Sequence, residues 1–135
     1  MPSFANLTVK KYDGTTDVVY TAKSPAAGDG SNAIFRNETV GTTIAQQPEF
    51  RFRAQGTNKK GVPYRVANSS YKWPKSITNS TTGEVSVVNG VTVTVQVEVN
   101  QTMSGAEVNE AVYQSLNLAA NASVKQGCRD GYSFF

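Results

Sequence analysis

The chain has no histidine, a single cysteine, and no Asp or Glu between Phe50 and Gly83. Without histidine, the commonest general base and the commonest metal ligand are both missing. One thiol and ten scattered carboxylates provide no group at metal-ligand spacing. A Gly-rich phosphate loop is also lacking. Catalytic residues, a metal site and a resident cofactor are therefore not expected. Cys128 has no partner for an internal disulfide, and reads as a small part-buried thiol before it reads as an intersubunit bridge. No window approaches the ~18 apolar residues of a membrane span. Met1 to Leu7 has neither the basic start nor the apolar stretch of a secretory leader, so a cytoplasmic start and no membrane partner are expected. Asn-x-Ser/Thr triplets such as those at Asn6, Asn37 and Asn68 then simply follow from a composition rich in Asn, Ser and Thr.

The 135 residues, 39 % of them hydrophobic, suffice for one domain (1–135) with a modest core. Their charge is unevenly spread. Arg51, Arg53, Lys59, Lys60, Arg65, Lys72 and Lys75 all fall in the acid-free stretch, while the whole chain carries only +3, so the remainder is net acidic. A basic block of this kind suits a polyanion-binding face, because each neutralised phosphate releases counterions.

Valines, threonines and aromatics recur in short alternating runs, which predicts mainly strands. Phe4 to Tyr12 and Asp17 to Ala22 read as a hairpin about Asp13-Gly14. A short strand follows near Ala33 to Asn37. In Glu49 to Gln55, alternation sends Phe50 and Phe52 to one face and Arg51 and Arg53 to the other. Gly56 to Gly61 reads as a basic turn and Val62 to Ser70 as the returning strand. Tyr64 and Val66 are expected inward, with Arg65, Ala67 and Ser69 outward, so that Arg51, Arg53 and Arg65 share a face. Pro74 to Gly83 reads as a loop by composition. Glu84 to Val99 is expected to be one long strand, bulged at Gly90, with Val85, Val87 and Val91 to Val99 on a single face. Ser104 and Glu107 form a capping box ahead of a helix reaching about Ala120. A second helix from Ala122 to about Cys128 precedes the apolar tail Tyr132 to Phe135.

The expected class is thus α+β: an N-terminal β-hairpin, an antiparallel sheet with a long last strand, then one or two C-terminal helices. One helix with a narrow apolar stripe covers such a sheet poorly, which points to a second copy of the chain as the missing cover. In element order, length, basic hairpin and terminal helices, the chain resembles the coat proteins of leviviruses, the small single-stranded RNA bacteriophages. Local matches include the run from Gln55 through Asn58-Lys59-Lys60 to Tyr64, and the capped helix after a Val/Thr strand.

The resemblance implies an intertwined dimer whose helices cover the partner's sheet. It also implies an icosahedral shell assembled in the bacterial cytoplasm, and an inner face that binds a genomic RNA stem-loop as a translational repressor. Carried over, that inner face falls on Arg51, Arg53, Arg65, Ala67, Thr92 and Thr94, with Lys59 and Lys60 beside it. The loop that meets other subunits around the symmetry axes falls on Pro74, Lys75, Asn79 and Gly83. The sequence departs from the family where a base-stacking Tyr precedes an Asn by two residues, since here the run is Val87-Val88-Asn89-Gly90. That removes a stacking contribution of ~1–3 kcal/mol per base. A small residue also stands at Ala67 in place of Lys. Two other readings compete: a small dimeric RNA-binding regulator that builds no shell, and a secreted β-sandwich module. The missing leader and disulfides, and the terminal helices, weigh against the second.

Overall fold

A computed structural model of the chain describes residues 2–133. Six strands are followed by two helices: β1 (Leu7–Lys10), β2 (Asp17–Ser24), β3 (Ala33–Arg36), β4 (Glu49–Lys59), β5 (Val62–Thr78), β6 (Val85–Asn100), α1 (Gly105–Ala119) and α2 (Ala122–Asp130). The strands form an antiparallel sheet in chain order, β1-β2-β3-β4-β5-β6. This is the α+β arrangement that the strand and helix periodicities predicted. No helix among the described residues is long and apolar enough to cross a membrane. Of the apolar tail, Phe134 and Phe135 lie outside the described residues.

Local chemistry fixes the turns. After β1, the Asp13 carboxylate accepts the amides of Thr15 and Thr16, each at 2.9 Å. Hydrogen bonds from the Thr16 side chain and then these amides hold its pKa down at about 2. The β4–β5 turn is tighter than the sequence suggested. Strand β4 continues through Lys59, and the reversal is the pair Lys60 (φ 51°) and Gly61 (φ 82°). Two successive positive φ values are what a type I′ two-residue hairpin requires, and Asn58 Oδ1 secures the turn by accepting the Gly61 amide at 2.9 Å. Lys59 is therefore paired with Val62, and this sets the register of the whole hairpin.

That register corrects the sequence reading of β5. Arg51 is opposite Ser70 and Arg53 is opposite Asn68, whereas Arg65 is opposite Gly56 and Ala67 opposite Ala54. Directly opposed residues in an antiparallel pair share a face. Arg65 and Ala67 thus lie on the face of Phe50 and Phe52, while Tyr64 and Val66 lie on the face of Arg51 and Arg53. Only the β4 half of the expected grouping holds.

Strand β5 also runs on through Pro74 and Lys75 to Thr78, so the expected loop shrinks to the stretch from Asn79 to Glu84. Pro74 is accommodated at a register shift: Trp73 pairs with Val91 but Pro74 with Asn89, leaving Gly90 as the extra residue. A Cβ on Gly90 would come within 2.7 Å of the Trp73 carbonyl oxygen, so only glycine fits. Strand β6 is continuous, as predicted, and the bulge is where it was placed. Its consequence differs, because one extra residue reverses the phase. Val85 and Val87 pair with Thr78 and Ser76, and lie on the opposite face from Val91 to Val99.

One face of the sheet is consequently apolar. It carries Leu7, Val9, Tyr20, Phe35, Phe50, Tyr71 and the valines of β6 from Val91 on. Phe4 stacks at 5.4 Å on Phe35, itself 6.0 Å from Phe50, and the hydroxyls of Tyr20 and Tyr71 meet at 3.0 Å. Burial, followed by this hydrogen bond, raises the Tyr71 pKa. The core is small: among the described residues the buried hydrophobic ones are Tyr20 and Phe35 on this face and Val66 on the other, and Pro48 and Asn37 are buried as well. Val91 and Val93 remain 55 % and 47 % exposed.

The helices do not repair this. They pack on each other and scarcely touch the sheet of their own chain; a 3.3 Å hydrogen bond from Arg129 to the Tyr12 hydroxyl ties α2 to the first hairpin. Helix α1 has the expected capping box, with the Glu107 amide donating to Ser104 Oγ at 3.3 Å and Glu107 Oε2 accepting the Ser104 amide at 2.9 Å. Gly131, at φ 75°, ends α2. Tyr113, Leu116 and Leu118 stay exposed, and so does Cys128, against the part-buried position expected for it.

Candidate nucleic-acid interface

The opposite face is polar and spans the three longest strands. Cross-strand rows run Arg53–Asn68–Gln96, Arg51–Ser70–Thr94 and Glu49–Lys72–Thr92. The first two rows line a shallow hollow of about 430 Å³, lined also by Asn32. Guanidinium, amide and hydroxyl groups thus converge on one surface, as phosphate and base-edge contacts need.

Ion pairs decide how much of the positive charge is free. Glu49 accepts Arg36 Nε at 2.9 Å and also pairs with Arg51. Its side chain is 15 % exposed and that of Arg36 21 %, so this trio is part of the folded framework. Lys59 pairs with Glu98, and its ammonium lies 5.5 Å from the centre of the Tyr64 ring. Gln96 donates to the same carboxylate at 2.8 Å. The Lys59 hydrogen bond is the largest influence lowering the Glu98 pKa. Arg53 and Lys72 have no carboxylate partner among the described residues, and they are the uncommitted cations of this face in β4 and β5.

Arg51, Arg53, Thr92 and Thr94 share this face as the sequence predicted; Lys59 is on the same face but at its far end, beside the turn that carries Lys60. Arg65 and Ala67 are not. Arg65 instead holds Asp29 at 2.8 Å, and Asp29 Oδ2 accepts the Gly56 amide at 2.9 Å. The amide bond depresses the Asp29 pKa first, and Arg65 adds to it. Together with Gly30 N–H donating to the Ala54 carbonyl at 2.8 Å, this latch covers the edge of β4 beyond the end of β3. Of the predicted intersubunit loop, Asn79 and Gly83 sit in the β5–β6 turn but Pro74 and Lys75 do not. Asn68, Ser70, Lys72 and Gln96 were missed as site residues. Reading Lys60-Gly61 as the two turn residues would have found the first three, since it fixes which β5 residues face Arg51 and Arg53. Among the described residues, no three Asp, Glu or Cys side chains gather as a metal ion requires.

No family profile and no curated protein matches this sequence. Solved structures do. A virus-like particle of Beihai levi-like virus 21 superimposes with a TM-score of 0.79 at 19 % identity, covering 99 % of both chains. This is the RNA phage coat-protein fold. A virus-like particle of bacteriophage NT-214 gives 0.74 at 12 % identity, over 99 % of this chain and 100 % of that one. The capsid protein of bacteriophage GA gives 0.64 at 14 % identity over 97 % of each. The resemblance drawn from element order, basic hairpin and terminal helices is thereby upheld for the fold. Identity this low speaks to the fold alone, and the polar face has to be read from its own residues.

Proposed function

We propose that the chain is the shell subunit of a small RNA bacteriophage, a non-enzymatic protein working as one domain. In this reading it dimerises, assembles with other dimers into an icosahedral shell in the host cytoplasm, and encloses single-stranded RNA in the virion against its polar face. The observation that carries the reading is a sheet whose apolar face is left open by its own helices, in a fold that matches phage shell subunits from end to end. A second copy laying α1 and α2 across that face, and receiving the same in return, would cover the β6 valines and the exposed Leu116 and Leu118 together. Covering an exposed Val or Leu is worth up to ~1.5–3 kcal/mol.

The polar face, with Arg53 and Lys72 free, is the side assigned to RNA. Repression through a genomic stem-loop belongs to the same proposal, with Asn68, Gln96 and the threonines supplying base-edge contacts in place of the missing aromatic. Sedimentation of the protein expressed alone in bacteria, with and without ribonuclease, tests it. Shell-sized particles holding nuclease-resistant RNA support the proposal. Free dimers carrying no RNA after low-salt handling would count against it, and free dimers that hold a specific RNA would make the chain a small regulator.

A further inference from the structure

We propose that Glu98 is a built-in competitor for RNA phosphate, limiting what the polar face binds by keeping Lys59 and Gln96 engaged; this rests on the RNA-binding reading above. The carboxylate takes Lys59 on one oxygen and Gln96, at 2.8 Å, on the other. It belongs to the polar face through its pairing with Val66, opposite Gln55. Between Arg53 and the β4–β5 turn, it is the one carboxylate among the described residues of this face. On one side stands Arg53, on the other Lys60, which has no carboxylate partner among the described residues. A strand of RNA crossing that end would meet three cations, Arg53, Lys59 and Lys60, with Lys59 neutralised.

The two carboxylates of the face differ in kind. Glu49 is mostly buried between two arginines, and breaking that trio would leave a charge uncompensated. Glu98 and Lys59 have side chains 33 % and 50 % exposed, and exposed pairs exchange partners at little cost. Glu98 is ionised at neutral pH as any carboxylate of ordinary pKa is, and the Lys59 hydrogen bond, which lowers its pKa, extends the competition toward acid. An RNA must therefore displace the carboxylate or pass Lys59 by, and generic polyanions gain one contact fewer than the sequence suggests.

Binding of a short labelled oligouridylate to the full-length protein, measured across a salt series, tests this. Glu98→Gln keeps the side-chain shape and frees Lys59. It should raise affinity at low salt and steepen the slope of log K against log salt by ~0.7, the value of one single-strand phosphate contact. Adding Lys59→Gln to Glu98→Gln should abolish the gain. Glu110→Gln makes the same change in net charge on α1 and should leave the slope alone. An equal rise in Glu110→Gln would mean that long-range charge is responsible, and overturns the assignment. So does an unchanged slope in Glu98→Gln, provided that wild-type binding is salt-dependent and weakened by Arg53→Ala. Absence of binding in wild type and variants alike sinks the RNA reading and this inference together.

Discussion

Arg53 and Lys72 are where the polar face keeps positive charge available, because the neighbouring cations already have carboxylates. Replacing either with Ala should reduce the salt slope for single-stranded RNA by ~0.7. Arg65→Ala, on the other face, should leave that slope unchanged, a contrast that salt-dependent binding measures directly. Asp29 gives a pH prediction. Its folded pKa lies below the ordinary 3.8, so the stability it contributes is fully present above that value and drains away as pH falls through the lower, folded one. Asp29→Asn should therefore lower Tm at neutral pH but have little effect in strong acid, where the wild-type carboxyl is itself protonated. Equal losses at both pH values would mean that the latch works without its charge.

At the scale of elements, the β4–β5 and β5–β6 turns were placed too long, whereas the strands, the first hairpin turn and the helix cap were legible because they are written in local sequence pattern. The capping box of Ser104 and Glu107 is an example, and Ser104→Ala should cost ~1 kcal/mol of helix stability, seen as reduced helicity and Tm. What the sequence hid was phase between elements. Alternation within β4 placed Arg51 and Arg53 correctly, but the faces of β5 depend on where the turn falls. Arg65 was grouped with the wrong partners because Tyr64 and Val66 were expected inward as apolar residues, whereas cross-strand pairing puts both on the face of Arg51 and Arg53. The bulge sends Val85 and Val87 to the opposite face from Val91 to Val99. Pro74 read as loop because proline rarely sits inside a sheet, and at a register shift it does. Gly90→Ala should test how firmly the bulge is built: the added methyl meets the Trp73 carbonyl oxygen, and a loss of ~1–3 kcal/mol in denaturant unfolding is expected.

For the whole molecule, the balance between a small core and a large open apolar face is the central fact. In the proposed shell, Val91, Val93 and Tyr113, exposed in the single chain, are the surface that association would cover. Val93→Asp should therefore abolish assembly and lower stability sharply, even though Val93 is hardly buried within one chain. A variant that still assembles would place the contact elsewhere. The most direct measurement is a cryo-electron microscopy reconstruction of the protein expressed alone in bacteria. Closed shells are expected, built from dimers in which α1 and α2 of each subunit lie across the partner's β6 valines, with Arg53 and Lys72 lining an RNA-filled interior. Shells with the polar face outward, or no closed particles at all, would contradict the shell-subunit reading.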